Sequence, residues 1–366
     1  MPPTEPAFLE RAFALAERGR YSVSPNPMVG AVVVRNGRVV GEGHHRRAGE
    51  RHAEILALRE AGTRARGADL YLTLEPCAHQ GRTPPCAPAV IAAGVRRVVV
   101  AASDPNPLVA GRGIAALRRA GLEVIRAPGA WREREAGLNA KFRTFIASRR
   151  PLVLAKWAST LDGRIASSAG KSRWITGEPA RRRALALREE YDAVLVGAGT
   201  VIADNPRLTR RLGLNRAAPH WRIVLDGRLR TPEDARIFRG SGRTLVVTAA
   251  SDRHPKARRL AARGALVWSL PSRIRGRVDL PRLLRELGRR DVTSLIVEGG
   301  AETLGSFFAA GLVDRVALFL APRILGGARA PGAVGGVGFA LARTPRLGEL
   351  GIETVGGDLL VTGRVT

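Results

Sequence analysis

Cysteine and long apolar runs are scarce in this sequence of 366 residues. The chain has 2 cysteines, which excludes a disulfide framework and leads us to expect a reducing, cytoplasmic location. No apolar run approaches the ~20 residues that a membrane-spanning helix requires. The first 21 residues lack the apolar core of a secretory signal, and the helical spacing of their apolar side chains predicts an amphipathic helix.

Acidic residues are also few relative to basic ones. The chain has 32 Asp and Glu against 60 Lys and Arg, which gives a formal net charge of +28 at pH 7. Such a charge favours a nucleic-acid partner, but the basic residues are almost all arginines and are scattered along the whole chain. A general bias toward arginine, or a basic cleft for phosphorylated small molecules, explains them as well. We therefore expect neither a nucleic-acid partner nor a membrane partner.

Both cysteines lie in one stretch that also contains a histidine and a glutamate. The stretch begins with a His-Ala-Glu triplet at 52–54, passes through a predicted helix and strand, and ends in two cysteines. A catalytic zinc ion takes three protein ligands and leaves its fourth position to water, whose pKa it lowers toward neutrality. The predicted zinc ligands are His52, Cys77 and Cys86, and Glu54 is the predicted proton-transfer residue.

This pattern departs in one respect from the zinc-deaminase signature, H-x-E followed by P-C-x-x-C. Eight residues rather than two separate Cys77 from Cys86. Three alternatives therefore stay open. The cysteines could be buried without a metal, the zinc could be structural with His44 or His45 as a fourth ligand, or the chain could be a nucleic-acid-editing deaminase with an accessory domain.

Predicted strands and helices alternate in two separate series along the chain. The first series predicts an α/β domain in which helices cover both faces of a mixed or parallel sheet, and it includes a hairpin that turns at Asn36-Gly37. The second series begins at Pro151 and ends in a hairpin that turns at Gly356-Gly357. We predict two domains, 1–147 and 151–366, and find no sequence repeat between them.

Two predicted strands of the second series end in glycine-rich turns, at 197–200 and at 299–300. A helix N-terminus offers free N–H groups to phosphate oxygens, and glycine allows the backbone to approach a ligand. Neither turn has the G-x-G-x-x-G pattern, and ordinary strand–helix connections explain both equally well. Alone, these residues indicate only a phosphorylated ligand.

Longer stretches resemble one family, the bifunctional deaminase/reductases of riboflavin biosynthesis. In the first half these are residues 52–54 with 76–86, whose wide cysteine spacing is that family's own, and residues 24–30 and 104–107. In the second half they are residues 156–164, 174–176, 200–206 and 298–300. The matches follow the family's order over nearly the full length.

The resemblance implies two successive reactions. A cytidine-deaminase-like first domain would remove the 2-amino group of 2,5-diamino-6-(5-phosphoribosylamino)pyrimidin-4-one as ammonia. A dihydrofolate-reductase-like second domain would then use NADPH to reduce the ribosyl group to ribityl, which gives 5-amino-6-(5-phosphoribitylamino)uracil. We therefore expect an enzyme with Zn²⁺ and NADPH as cofactors and a phosphorylated pyrimidine as substrate, compatible with a homo-oligomer.

The matched motifs also imply roles for individual residues. In the deaminase, Glu54 would be catalytic, and the substrate would contact Asn26, His79, Arg82 and Thr83. In the reductase, NADPH would contact Ala158, Trp174, Thr200, Asp204, Gly300, Ala301, Glu302, Thr303, Leu304, Gly305 and Ser306. The substrate side would be lined by Lys156, Ser172, Arg188, Leu208, Arg211 and Glu298. Asp204 is a candidate proton donor to the sugar, with Lys156 and Glu298 as rivals, and the sequence does not choose among them.

Overall fold

The computed structural model describes residues 5–80, 83–215, 220–240 and 242–366. The chain divides into two compact units, Met1–Arg149 and Arg150–Thr366. Every helix in the described ranges is too short or too polar to span a lipid bilayer.

The first unit contains one five-stranded sheet with helices on both faces. Its strands are β1 (Gly30–Arg35), β2 (Arg38–His44), β3 (Asp69–Leu72), β4 (Arg97–Val100) and β5 (Glu123–Arg126). Its helices are α1 (Glu5–Glu17), α2 (Ala53–Ala61), α3 (Cys86–Ala92), α4 (Arg112–Arg119), α5 (Gly129–Leu138) and α6 (Ala140–Ser148). The strand order is β2-β1-β3-β4-β5. Strand β1 is antiparallel to β2 and β3, whereas β3, β4 and β5 are parallel.

Two cores form because successive strand residues point to opposite faces of the sheet. Ala31 and Val33 of β1 belong to the core that α2, α3 and α4 cover. Val32 and Val34 belong to the other core, which the apolar face of α1 covers. The predicted amphipathic helix and hairpin are therefore both present, and they build the helix–sheet–helix arrangement expected from the sequence.

The second unit contains one nine-stranded sheet. Its strands are β6 (Leu152–Thr160), β7 (Ala193–Gly197), β8 (Trp221–Leu225), β9 (Arg243–Thr248), β10 (Leu266–Ser269), β11 (Ser294–Glu298), β12 (Arg315–Ala321), β13 (Leu347–Val355) and β14 (Asp358–Val365). Its helices are α7 (Glu178–Glu190), α8 (Ala198–Asp204), α9 (Pro255–Ala262), α10 (Leu280–Gly288) and α11 (Ala301–Ala309). The order is β10-β9-β8-β7-β11-β6-β12-β14-β13, with β14 antiparallel to both of its neighbours.

Parallel pairing brings the ends of the central strands to one edge of this sheet. Strand β11 lies between β7 and β6 and is parallel to both. In this register Glu298 of β11 is directly opposite Lys156 of β6. Strands β7 and β11 lead directly into α8 and α11, so two helix starts lie at the edge where α/β sheets bind ligands.

Candidate active sites

His52, Cys77 and Cys86 lie together in the first unit. His52 immediately precedes α2, and Cys86 is the first residue of α3. His52 Nδ1 lies 3.7 Å from Cys77 Sγ and 3.2 Å from Cys86 Sγ, and the three ligand atoms all lie within 4.8 Å of one another. A zinc ion at about 2.0–2.3 Å from each ligand atom fits among atoms at this spacing, and the nitrogen and sulfur donors suit zinc.

His45, a candidate fourth ligand, has other partners. Its Nε2 lies 3.0 Å from Asn26 Nδ2, and its Nδ1 lies 3.3 Å from the carbonyl oxygen of Arg51. Burial, and then the nearby His52, lower the pKa of His45 to about 4, so its ring is neutral at pH 7. Within the described ranges, the cluster of possible metal ligands contains neither His44 nor His45, which leaves the three-ligand set of a catalytic zinc site.

The two thiols interact directly. The hydrogen bond with the Cys86 thiol is the largest cause that lowers the pKa of Cys77, although burial opposes it. The same bond and burial raise the pKa of Cys86. The backbone N–H of Cys86 also donates to Cys77 Sγ at 3.4 Å. Cys77 is therefore held as the thiolate, which is the form that binds a metal.

Glu54 lies beside this cluster, in the first turn of α2, with only 3% of its surface exposed. Burial raises its pKa, partly offset by the charge of His52 and by hydrogen bonds that include one with Cys86. A raised pKa makes a carboxyl group a stronger base, which suits it to proton transfer. The structure thus places the predicted proton-transfer residue at the predicted metal ligands.

One of the predicted substrate residues, Thr83, contacts a predicted zinc ligand directly. Thr83 Oγ1 is 3.2 Å from His52 Nε2. His79 Nδ1 is buried and has no hydrogen-bond partner among the described residues. Arg82 lies outside the described residues.

The turn before Cys77 is held by a clamp, by which we mean one buried carboxylate that accepts several backbone hydrogen bonds. The sequence analysis did not predict it. The buried carboxylate of Glu75 accepts hydrogen bonds from the backbone N–H groups of Asp104, Gly111 and Ile114, at 3.3, 2.9 and 3.0 Å. A Cβ atom at Gly113 would lie 1.9 Å from the carbonyl oxygen of Pro76, so α4 contacts this turn through bare backbone. The Asp-Pro-Asn-Pro run at 104–107 was the one sequence signal for this contact.

A cavity of about 1600 Å³ opens at the strand ends of the second unit. It is lined by the predicted residues Lys156, Ala158, Ser172, Trp174, Arg188, Thr200, Asp204, Leu208, Arg211, Glu298, Gly300, Ala301, Glu302, Thr303, Leu304 and Ser306. Gly305 is the exception among the predicted residues. It is buried against Gly335, whose carbonyl oxygen would lie 2.1 Å from a Cβ atom at Gly305. The cavity is large enough to hold a dinucleotide and a sugar phosphate together.

Glu298 connects two cations in this cavity. Its carboxylate accepts hydrogen bonds from Arg188 Nε and Nη2, at 2.7 and 2.8 Å, and from Lys156 Nζ at 3.2 Å. Burial raises the pKa of Glu298, but the charges of Arg188 and Lys156 outweigh burial and lower it overall. Glu298 is therefore a carboxylate at neutral pH, and Lys156 keeps further N–H protons for a ligand.

The predicted phosphate cradle also faces the cavity. Gly299 and Gly300 have φ angles of 80° and 79°, which glycine adopts readily, and Gly300 immediately precedes α11. A Cβ atom at Gly300 would lie 3.1 Å from Thr200 Oγ1 on α8. The starts of α8 and α11 therefore meet, and their free N–H groups are available to phosphate oxygens.

An exposed aromatic residue forms part of the cavity wall. Trp174 is 63% exposed, and the guanidinium carbon of Arg181 lies 4.6 Å from its ring centroid. A cation over the face of an indole ring stabilises its position. An exposed indole ring is also suited to stacking on a flat ligand.

A second missed clamp holds the loop that contains Arg211. The buried carboxylate of Glu189, at the end of α7, accepts four backbone hydrogen bonds, from Arg211, Leu212, Leu214 and Asn215, at 2.5–3.0 Å. Burial raises the pKa of Glu189, but these four bonds outweigh burial and lower it. The clamp joins this loop to the helix that also contains Arg188.

Comparisons with known proteins agree with both sites. The family described as cytidine and deoxycytidylate deaminase zinc-binding region matches residues 3–102, and the RibD C-terminal domain matches residues 151–361. The riboflavin biosynthesis protein RibD of Bacillus amyloliquefaciens is 43% identical over 360 residues, which cover 98% of this chain and 95% of that protein.

Two solved structures are similar over 98% of this chain and 98% of their own. The RibD of Acinetobacter baumannii has a TM-score of 0.87 and 37% identity. The protein from Thermotoga maritima, described as a diaminohydroxyphosphoribosylaminopyrimidine deaminase/5-amino-6-(5-phosphoribosylamino)uracil reductase, has a TM-score of 0.84 and 36% identity.

These matches confirm the two predicted fold classes, the order of a deaminase and a reductase, and the predicted cofactors, Zn²⁺ and NADPH. Because both family matches occur in that order, and because the relatives align over nearly their full length, the chain belongs to the family of the riboflavin biosynthesis protein RibD.

Proposed function

We propose that residues 1–147 deaminate 2,5-diamino-6-(5-phosphoribosylamino)pyrimidin-4-one and that residues 151–366 then reduce the ribosyl group of the product to ribityl with NADPH. The observation that carries this proposal is the presence, in one chain, of a three-residue His/Cys/Cys cluster beside a buried glutamate and of a strand-end cavity of about 1600 Å³. The description of the similar Thermotoga maritima protein names the same two activities.

In the deaminase, His52, Cys77 and Cys86 would hold the zinc ion, which supplies an activated water at neutral pH when bound. Glu54 would take one proton from the attacking water and give it to the ring nitrogen, and would then move the second proton of that water to the departing amine. Its burial supports this role, because a raised pKa makes the carboxyl group a better proton acceptor than an exposed glutamate.

The pyrimidine is oriented by Asn26, and His45 orients Asn26. Because His45 Nδ1 faces the carbonyl oxygen of Arg51, that nitrogen carries the proton, and Nε2 accepts from Asn26 Nδ2. The amide oxygen of Asn26 then remains to accept a hydrogen bond from the pyrimidine. Thr83 and His79 complete the substrate contacts, and the Arg82 guanidinium is the predicted phosphate partner.

In the reductase, the starts of α8 and α11 would hold the NADPH diphosphate, with Thr200 beside them and Trp174 stacking on a flat ring. When bound, NADPH supplies the hydride that adds to C1′ of the ring-opened, imine-like sugar. The nitrogen bonded to C1′ then needs a proton, and we assign the transfer of this proton to Lys156. Lys156 is preferred to Glu298, because the lowered pKa of Glu298 keeps that carboxyl group deprotonated.

Asp204 is the remaining rival for proton transfer. Its carboxylate lies 3.9 Å from Arg173 Nη2, and its carbonyl oxygen accepts from the same group at 2.8 Å. These contacts tie it to the segment that precedes Trp174, so we assign Asp204 to the cofactor side. The substrate side consists of Ser172, Leu208 and Arg211 with the Arg188–Glu298 pair.

A coupled assay tests the whole proposal. The diaminopyrimidinone ribosyl phosphate is supplied with NADPH, and ammonia release and NADPH absorbance are followed together. We expect ammonia first and NADPH consumption second. Ammonia alone would contradict the reductase half, and neither signal, from folded protein loaded with zinc, would contradict both halves.

We also propose that the enzyme is cytoplasmic and binds no nucleic acid. The two cysteines support the first point, because both lie at the metal-ligand cluster as free thiols. Binding of labelled single-stranded DNA or tRNA at physiological salt should be weak, and neither should be deaminated. Light scattering on the purified protein measures the oligomeric state, for which the sequence is compatible with a homo-oligomer.

A further inference from the structure

Arginines without partners line one side of the reductase cavity. Arg228 lies three residues beyond the end of β8, and Arg273 and Arg277 belong to the segment between β10 and α10. All three line the cavity. Across the described part of the chain, none of their side chains forms a hydrogen bond or an ion pair, whereas the cavity cations Lys156 and Arg188 share the Glu298 carboxylate. We propose that Arg228 and Arg277 bind the 2′-phosphate of NADPH and set the preference for NADPH over NADH.

The strand order of the sheet places these arginines at the position that the adenosine end of the cofactor would reach. This step rests on the proposed function, which puts the nicotinamide near Lys156 on β6 and the diphosphate at the starts of α8 and α11. Those helices follow β7 and β11, and β8 is the next strand on the side away from β6. A dinucleotide that extends along this edge from β6 therefore reaches the end of β8 with its adenosine.

The carboxylate at the end of β8 is unavailable to a ribose. In many NAD sites an acidic residue accepts a hydrogen bond from the ribose 2′-hydroxyl. Here Asp226 is 1% exposed, and its carboxylate accepts from the backbone N–H groups of Arg230 and Thr231, at 2.8 and 2.7 Å, and from Thr231 Oγ1 at 2.6 Å. The Asp226 carboxylate is therefore not free to bind the 2′ position of the cofactor, which faces the exposed guanidinium groups of Arg228 and Arg277 instead.

A backbone contact holds the two arginines on one rim. A Cβ atom at Gly227 would lie 2.1 Å from the carbonyl oxygen of Gly276, so the segment 271–278 packs directly on the end of β8. A Cβ atom at Gly276 would in turn lie 3.0 Å from Arg228 Nε. Arg228 and the residue before Arg277 are thus adjacent, and two guanidinium groups can donate to one phosphate at the same time.

The same segment contains a matched control. Its ends are joined by a bridge between Pro271 and Val278. Arg273 and Arg277 line the cavity, whereas Arg275 does not. Replacement of Arg275 therefore removes the same charge from the same segment without removing a group from the cavity wall.

Calorimetric titration of the full chain with 2′,5′-ADP and with 5′-AMP isolates the contribution of the 2′-phosphate. We expect wild type and R275A to bind 2′,5′-ADP more tightly than 5′-AMP. R228A and R277A should each bind 2′,5′-ADP about 10- to 100-fold more weakly, since each loses a charge-assisted hydrogen bond. Their affinity for 5′-AMP should stay within about twofold. The ratio of kcat/KM for NADPH to that for NADH should fall by the same factor as the affinity for 2′,5′-ADP.

Three results would overturn the assignment. The first is equal binding of the two nucleotides by wild-type protein. The second is an unchanged affinity of R228A and R277A for 2′,5′-ADP. The third is an equal loss of affinity for both nucleotides in these variants, which would indicate a structural role of the arginines. Each is distinct from failure of the proposed function, because wild-type hydride transfer to the deaminated substrate is measured separately.

Discussion

The carboxylate of Glu298 and the guanidinium of Arg188 form two hydrogen bonds, 2.7 and 2.8 Å long, inside the reductase cavity. Glu298 ends β11, Arg188 lies in the last turn of α7, and the carboxylate is 8% exposed. Such a pair is not strong evidence of net stabilisation, because desolvation of two charges opposes their attraction. Removal of one partner is strongly destabilising, because the remaining charge is then buried without a counter-charge.

E298Q should therefore destabilise the second unit. The amide cannot neutralise Arg188 and Lys156, and breaking a buried pair costs about 3–5 kcal/mol in the free energy of unfolding. Urea unfolding measures this difference. The control is E286Q on α10, which removes an exposed carboxylate that pairs with Arg289 and Arg290 and should change stability little. Equal, small effects of the two substitutions would contradict the structural account of Glu298.

E54Q should abolish deamination and leave the rest of the protein unchanged. The amide has nearly the same shape but cannot transfer protons, so ammonia release should fall by about 10²- to 10⁴-fold. Bound zinc and the reduction of separately supplied deaminated substrate should match those of wild type. E50Q, which changes an exposed residue two positions before His52, is the control. Normal ammonia release by E54Q would refute the role proposed for Glu54.

The ligand cluster was predictable because its residue types and their order lie within one short stretch. The clamps were not, because their partners are far apart in sequence. Glu75 accepts from residues 29, 36 and 39 positions away, and Lys156 meets Glu298 across 142 positions. The sequence therefore offered three rivals for proton transfer, and our proposal of Lys156 depends on the pairing of β6 with β11, which the sequence did not reveal.

Two helices, α5 and α6, were not predicted, and the reason is chemical. The buried face of α5 contains Glu135 rather than a stripe of apolar residues, so the usual helical pattern is weak. Asn139 Nδ2 and Arg143 Nε donate to the Glu135 carboxylate, both at 2.8 Å. A polar network of this kind takes the place of apolar packing, and apolar periodicity does not reveal it.

Asp104 should make the stability of the first unit depend on pH. Burial is the largest cause that raises its pKa to about 6, with Glu75 and Glu135 adding to the rise, whereas Asn106 and Arg143 oppose it. The folded protein thus keeps this proton to a higher pH than the unfolded chain does. The stabilisation is complete below about pH 4 and is lost as the pH rises through 6.

D104N removes this titration and should flatten the pH dependence. For wild type, the free energy of unfolding should fall by up to about 3 kcal/mol between pH 4 and pH 7 because of Asp104. The amide oxygen of Asn can still accept the bond that Asn106 N–H donates to Asp104 at 2.8 Å, so local structure is kept. Identical pH slopes for the two proteins in urea unfolding would contradict the raised pKa.

E189A should weaken the binding of the sugar phosphate more than the binding of NADPH. Four backbone N–H groups lose their acceptor, and the loop that contains Arg211 loses its anchor on α7. We expect the KM for the deaminated substrate to rise about 10-fold, as expected for loss of an interaction worth about 1.4 kcal/mol, with the KM for NADPH unchanged. E178A, at the exposed start of α7, is the control, and a parallel rise of both KM values would indicate general unfolding instead.

Removal of the metal should affect the first unit alone. The ligand atoms are one imidazole nitrogen and two sulfurs, which suit zinc and not the oxygen-seeking Mg²⁺. Because the ligands belong to the starts of α2 and α3 and to the turn between β3 and α3, bound metal joins separate segments and so contributes to folding stability. Chelation should therefore lower the Tm of the first unit and stop ammonia release, while the reduction of deaminated substrate continues. Zn²⁺ should restore both properties and Mg²⁺ neither, and ammonia release that persists without metal would refute the zinc site.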